Sequence, residues 1–309
     1  MHYYQEQKAL GSLAQISIIG DLSEEVILNI FKELWTDIFN FEKRFSRFLP
    51  GSELSKLNRN AGIKLPVSPQ LIDILKTAKK MAAETGGIYN PFILPALQMS
   101  GYDHSLVKGY EQDQTELYTH RKVMPAEKLE IGKDWVSIPK DSAIDLGGIG
   151  KGYLADKLAQ KIRRKVSGYW ISLGGDITLG GANDNGTPWV TAIQDALKPE
   201  SDIAQAETDG ASYSIASSGT LARNGVKNGK PWHHLIDPRT LMPAKTDLLL
   251  ATVVDRSAMR ADVFASCAVI LGSKDASIFL KHNQVHSALL QGKSNLLIGT
   301  HIKMISADL

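Results

Sequence analysis

Asp145-Leu146-Gly147-Gly148-Ile149-Gly150-Lys151-Gly152-Tyr153 gathers one carboxylate, four glycines and one lysine into a short turn. Glycine lets backbone atoms come close to a ligand, and lysine offers a compact positive charge suited to phosphate. Far along the chain, Ala261-Asp262-Val263-Phe264-Ala265-Ser266 sets two oxygen-bearing side chains four residues apart. That spacing puts Asp262 and Ser266 on one helical face, where both can point at a hard cation such as magnesium. A phosphate cradle with an oxygen pair for a cation outlines phosphoryl chemistry.

The familiar nucleotide loops do not fit. A Walker A loop needs glycine five places before Gly150-Lys151 and a hydroxyl residue after them, where this chain has Asp145 and Gly152. In the dinucleotide fingerprint, Gly148-Ile149-Gly150-Lys151-Gly152 would end on glycine, and Tyr153 stands there. Taken alone, the loop reads as a tight strand-to-helix connection and Asp262 as an acid on a helix surface.

The elements that must position these residues alternate between α and β. Ala14 to Ile19 reads as a strand, and Glu24 to Phe45 as a helix with apolar residues at Ile27, Ile30, Phe31, Leu34, Ile38 and Phe41. Ser68-Pro69 starts a second helix that runs to Thr85 and stops at Gly86-Gly87. Tyr153 to Val166 is helix-like. Tyr169–Leu173, Trp189–Ile193, Tyr213–Ser217 and Leu249–Val254 read as strands rich in β-branched or aromatic residues. Helices are expected over Met259–Leu271 and Lys274–His282, then strands near His286–Leu290 and Asn295–Ile298. Ala196 to Gly210 is polar and acidic and reads as an exposed loop. The fold class is α+β with substantial antiparallel sheet.

Composition narrows the function classes. The 309 residues are 43% hydrophobic and 22% charged, enough for a substantial core, with no repeats or low complexity. A net charge of +2 gives no reason to expect nucleic acid as a partner. The single cysteine, Cys267, has no disulfide partner and reads as a buried small hydrophobe. No uninterrupted run approaches the eighteen or so apolar residues of a membrane span, so none is expected. Met1 to Ala9 has neither an apolar signal region nor a cysteine to lipidate, so a cytoplasmic protein is expected, a truncated leader being the alternative.

Further motifs follow one another in order: Gly11-Ser12; Phe45-Ser46-Arg47-Phe48 with Ser52-Glu53-Leu54-Ser55-Lys56-Leu57-Asn58; and Thr85-Gly86-Gly87-Ile88-Tyr89-Asn90-Pro91. After the Asp145 loop come Ser172-Leu173-Gly174-Gly175-Asp176-Ile177, Ala216-Ser217-Ser218-Gly219, and His233-His234-Leu235-Ile236-Asp237-Pro238-Arg239-Thr240. Ala261 to Gly272 closes the series. Over roughly residues 10 to 300 this resembles the ApbE family of FAD:protein FMN transferases, formerly called thiamine biosynthesis lipoproteins. The resemblance implies one flavin transferase domain over 1–309, T-fold-like, with two intimately joined lobes and the flavin between them.

The resemblance also implies roles residue by residue. The Gly148 carbonyl, Asp262 and Ser266 match the family's Mg2+ ligands, with Ser266 in place of a threonine. Asp145 and Lys151 match FAD contacts, Lys151 meeting phosphate and Asp145 a polar donor on the cofactor. Leu10 stands for the usual methionine and Phe48 for the usual tyrosine, and Ile236 packs on the cofactor. Ile88, Tyr89 and Asn90 replace a segment commonly written Ala-Phe-Asp, so Asn90 keeps a carbonyl but lacks the charge. His234 matches the histidine near the reacting phosphate and can accept a proton at neutral pH, while His233 takes a structural part. Leu241 departs from a common glycine after Arg239-Thr240, and the leaderless N-terminus departs from the exported lipoprotein pattern.

The implied activity is magnesium-dependent protein flavinylation. A threonine or serine hydroxyl of an acceptor protein attacks the FMN phosphorus of FAD, and AMP leaves, with catalysis by His234 and Lys151. The alternatives are a FAD pyrophosphatase, in which water replaces that hydroxyl, and a non-catalytic flavin-binding protein.

Overall fold

Eight strands build one antiparallel sheet and cross it in chain order: β1 (His2–Ala9), β2 (Ser12–Ile19), β3 (Gly168–Leu173), β4 (Asp176–Gly181), β5 (Tyr213–Gly219), β6 (Leu248–Asp255), β7 (Ser287–Gly292) and β8 (Leu296–Ile298). The structure is a computed structural model that describes residues 1–104, 118, 123–207, 212–294, 296–298 and 302–304. The α+β class expected from the sequence is the one observed.

The helices fall where their caps and periodicity put them. Helix α1 (Glu24–Phe45) starts at Ser23, whose side chain accepts from the Val26 N–H, and carries acids in its first turn and bases in its last. Its buried stripe includes Ile27, Ile30, Phe31, Leu34 and Ile38, as the spacing predicts. Helix α2 (Glu53–Arg59) is capped by Ser52. Helix α3 (Pro69–Glu84) starts at Ser68 and stops at Gly86 and Gly87, whose φ values are 60° and 83°. A short helix, α4 (Leu94–Ser100), follows.

Helix α5 (Gly150–Ile162) starts earlier than the expected Tyr153, so the glycine loop supplies its first turn. The two helices expected late in the chain form one run, α6 (Ala258–His282), broken at Gly272 with φ 79° and ψ 166°. By length and composition α6 is apolar enough to cross a membrane, which the absence of an unbroken apolar run had not suggested. Its apolarity has a local reason, because Ala261, Val263, Phe264, Ala265, Ala268 and Val269 are all buried. Helix α6 packs on β5 and β6, α5 packs on β3 and β4, and the two helices pack against each other. Gly152 permits that approach: a Cβ there would lie 2.5 Å from the Ala258 carbonyl oxygen.

The opposite face of the central strands is covered as well. Ile177, Leu179, Tyr213 and Ile215 cluster with Ile193, Ala204, Ala206 and Ile302 of a three-stranded sheet. That sheet corrects one reading. The stretch from Ala196 to Gly210, read as a loop, contains the strand Asp202–Glu207, paired with Val190–Gln194 and with Ile302–Met304. Its inward residues are Ala204 and Ala206, which carry little of the β-branched signal that marks a strand. Residues 208–210 of that stretch, and Asn295 of the last expected strand, lie outside the described residues. At the N-terminus, His2–Ala9 forms β1 although it is mostly polar, because an edge strand buries little.

Candidate active site

Two hairpin turns and two helices meet at one end of the sheet. The β1–β2 turn is Leu10-Gly11, with φ 56° and 65°; the β3–β4 turn is Gly174-Gly175, with φ 65° and 94°. Both are two-residue turns with positive φ at each position, the geometry that suits the twist of paired strands. Between them and α6 opens a cavity of about 350 Å³, within the range of small-molecule sites. Leu10, Phe48, Ile88, Tyr89, Asn90, Asp145, Gly148, Lys151, His234, Ile236, Asp262 and Ser266 all line it. The structure therefore brings every residue expected to bind cofactor or metal, or to act in catalysis, to one place.

The Asp145 loop is held from several sides. Asn58 in α2 pairs its amide with both backbone groups of Ile144, at 2.9 and 2.8 Å. The Asp145 N–H donates to the Pro91 carbonyl at 2.9 Å. Its side chain accepts from Gly147 N–H at 3.1 Å and pairs with Arg47 Nε at 3.1 Å. The motif around Ser52 to Asn58 thus has a clear task, which is to fix the glycine loop.

Lys151, in the first turn of α5, is ion-paired with the buried Asp176 of β4. Its charge is therefore offset within the protein. Asp262 is buried on α6; it accepts from the Gly152 N–H, and its Oδ2 has no partner. Burial first, and the negative charge of Asp176 second, push the Asp262 carboxyl well above the usual range, against the pull of Lys151 and Arg223. One helical turn on, Ser266 Oγ lies 2.9 Å from Ser218 Oγ of β5.

A buried carboxylate oxygen without a partner fits a small hard cation, and a hydroxyl and a carbonyl are suitable companions. Asp262, Ser266 and Gly148 offer that donor set at the cavity. Among the described residues, no three His, Cys, Asp or Glu side chains cluster as a softer metal would require.

His234 follows the hairpin Asn224–Lys227/Lys230–His233. Its ring Nδ1–H donates to the Arg223 carbonyl at 3.3 Å, and its backbone N–H donates to the same oxygen at 3.0 Å. With the proton on Nδ1, Nε2 is left as the basic nitrogen. Burial, helped by the Arg223 charge, pulls the imidazole down to about 3, so His234 is neutral at physiological pH. His233 instead bonds the Ala244 carbonyl through Nε2 at 3.1 Å, a structural part as expected.

The aromatic wall is larger than the sequence suggested. The Arg47 guanidinium stacks on Phe48 at 4.0 Å and on Tyr102 at 4.7 Å. Tyr102 stacks in turn on Trp232, with ring centroids 6.0 Å apart. Gly101 makes room for it: a Cβ at its φ of 133° would meet Trp232 Nε1 at 2.4 Å.

Asn90 lines the cavity, and its amide is also tied to backbone. Its Oδ1 accepts from Phe92 N–H at 2.9 Å, and its Nδ2 donates to the Met124 carbonyl at 3.0 Å. A carboxylate there would lose the donor, so asparagine suits this chain. Cys267 is buried and burial pushes its thiol up, as befits a packing residue. Leu241, where a glycine is common, keeps a left-handed φ of 60°.

Arg47, Tyr102, Asp176, Ser218 and Arg223 also line or support the cavity and were given no role from sequence. Asp176 and Ser218 stand inside the ordered motifs, and Arg47 lies beside Phe48. Those positions were the available signal.

Fold and cavity together define a class of α+β protein in which one antiparallel sheet and two packed helices frame a polar cavity. The structure superposes on the ApbE protein of Thermotoga maritima with a TM-score of 0.83, 22% identity and 97% of each chain covered. It superposes on the flavinyl transferase ApbE of Pseudomonas stutzeri with a TM-score of 0.80 and 18% identity, over 97% of this chain and 95% of that one. The ApbE family model matches residues 10–290, and this chain belongs to the ApbE family. Among curated relatives, the FAD:protein FMN transferase of Escherichia coli K12 is 26% identical over 285 residues, 88% of this chain and 79% of that protein. One from Vibrio cholerae is 28% identical over 246 residues, covering 78% and 73%.

Proposed function

We propose that this protein transfers FMN from FAD to a threonine or serine hydroxyl of an acceptor protein. The observation that carries the reading is that one cavity gathers a neutral histidine, three cationic side chains and a buried carboxylate with an open oxygen. The activity for which the relatives are named points the same way.

The acceptor oxygen forms a bond to the FMN phosphorus, and the bond from that phosphorus to the AMP oxygen breaks. His234 Nε2 takes the hydroxyl proton, and needs no prior deprotonation because it is neutral already. The aromatic wall of Phe48 and Tyr102, with Leu10 and Ile236, binds the flavin and keeps water from the reacting centre. Lys151 meets the pyrophosphate from the start of α5, where free N–H groups favour anions. Gly148, Asp262 and Ser266 would hold Mg2+, which supplies charge neutralisation at the pyrophosphate oxygens when bound. Holding the acceptor hydroxyl beside phosphorus lowers the barrier by on the order of several kcal/mol relative to free water.

Incubation with FAD, Mg2+ and candidate acceptor domains tests the reading. A fluorescent protein adduct supports transfer. Free FMN with AMP points to a pyrophosphatase, and intact bound FAD to a flavin-binding protein.

A further inference from the structure

The charged residues at the cavity can be paired off. Arg47 is matched by Asp145 and Lys151 by Asp176. Glu42, Asp262 and Arg223 remain, and among the described residues none of the three makes an ion pair. Asp262 offers its open oxygen to a cation. Arg223 is the cation lining this cavity that, among the described residues, makes no ion pair.

Its place is favourable for an anion. Arg223 lies between the end of β5 and the Asn224–Lys227 strand, half-buried at the cavity wall. Its carbonyl holds both the ring and the backbone N–H of His234, so its backbone is anchored beside the candidate base. The charge reaches across the cavity, because Arg223 acts on His234 and on Asp262 alike. A guanidinium held near a base and a cation-binding carboxylate, and left without a counter-ion, matches the fork geometry of phosphate oxygens.

We propose that Arg223 is a phosphate-binding residue of the cavity, contacting the phosphate oxygens of the flavin dinucleotide. The proposal rests on the FAD reading above for the identity of the ligand, and on the charge pairing for the site itself. It adds Arg223 to the phosphate contact already given to Lys151, whose charge is shared with Asp176.

The test compares three probes in Mg2+ buffer: FAD, riboflavin, which has the ring but no phosphate, and inorganic pyrophosphate, followed by fluorescence or calorimetry. Arg223→Met should weaken FAD and pyrophosphate by about tenfold or more, as expected for one lost charge-assisted contact. Riboflavin binding should stay within about twofold, and Arg223→Lys should recover part of the loss. The carbonyl that holds His234 is kept in both variants, so a parallel loss of riboflavin binding would mean a deformed site and overturn the proposal. Unchanged FAD and pyrophosphate affinity would also overturn it, even if the wild-type protein transfers FMN. A wild-type protein that binds neither probe would overturn it too. Pyrophosphate binding through Arg223 without FAD binding would sustain the phosphate site and sink the flavin reading instead.

Discussion

Arg47 Nε lies 3.1 Å from Asp145 Oδ1, so the end of α1 and the glycine loop are joined by a buried ion pair. The same guanidinium donates from Nη2 to the Tyr102 carbonyl at 3.1 Å and covers the Phe48 ring. One side chain therefore links the aromatic wall to the loop that carries Lys151. Removing one partner of a buried pair strands the other charge. Arg47→Met should cost about 3 kcal/mol in urea unfolding and weaken FAD binding. Arg47→Lys keeps the charge but not the fork and should restore only part of the stability. Wild-type stability for Arg47→Met would show that the pair is not a structural tie.

Asp262 carries the cation prediction. Its buried carboxylate has an oxygen without a partner, so Asp262→Asn should raise the melting temperature in EDTA, by roughly 1 kcal/mol or more in stability. The same variant should lose the stabilisation that added Mg2+ gives the wild type. An equal Mg2+-induced rise in both proteins would move the metal away from this residue.

His234 makes stability depend on acid. Its folded pKa of about 3 lies below the ordinary 6.5, so between those values the unfolded chain binds more protons. The protein should hold full stability from this group above pH 6.5 and lose it progressively as pH falls toward 3, by roughly 3 kcal/mol near pH 4.5. His234→Asn keeps a donor for the Arg223 carbonyl and removes the titration. Its unfolding free energy should fall less between pH 7 and 4.5 than the wild type's. Parallel pH curves for the two proteins would contradict a buried neutral imidazole.

Leu10 sets stability against binding. A leucine with φ 56° in a two-residue turn is strained, and asparagine before Gly11 suits that turn. Leu10→Asn should raise stability by on the order of 1 kcal/mol while weakening FAD binding several-fold, because the side chain lines the cavity. A variant that loses stability and keeps its affinity would reverse both assignments.

What the sequence made legible was local. Caps and periodicity placed α1 and α3 because those signals act within a few residues, and the Gly272 break was visible as a gap between two helices. The Asp145 loop and the Asp262–Ser266 spacing stood out as short patterns, and the ordered motifs around them gave each its chemical meaning. The strand Asp202–Glu207 did not, since alanines pack its inner face, and β1 did not, since an edge strand is mostly wet. Arg47 with Asp145, Lys151 with Asp176, and the unpaired Arg223 depend on distances set by the folded chain. The partners of Asn90 are set by the fold for the same reason: its amide meets Phe92 and Met124, and the latter contact is remote in sequence.

The most direct measurement of the central claim is the ratio of AMP released to flavin bound covalently, when the protein meets FAD, Mg2+ and an acceptor domain. One AMP should appear for each FMN fixed on a threonine or serine, with the acceptor gaining the mass of FMN less water. AMP accumulating with free FMN, while several candidate acceptors stay unmodified, would contradict it.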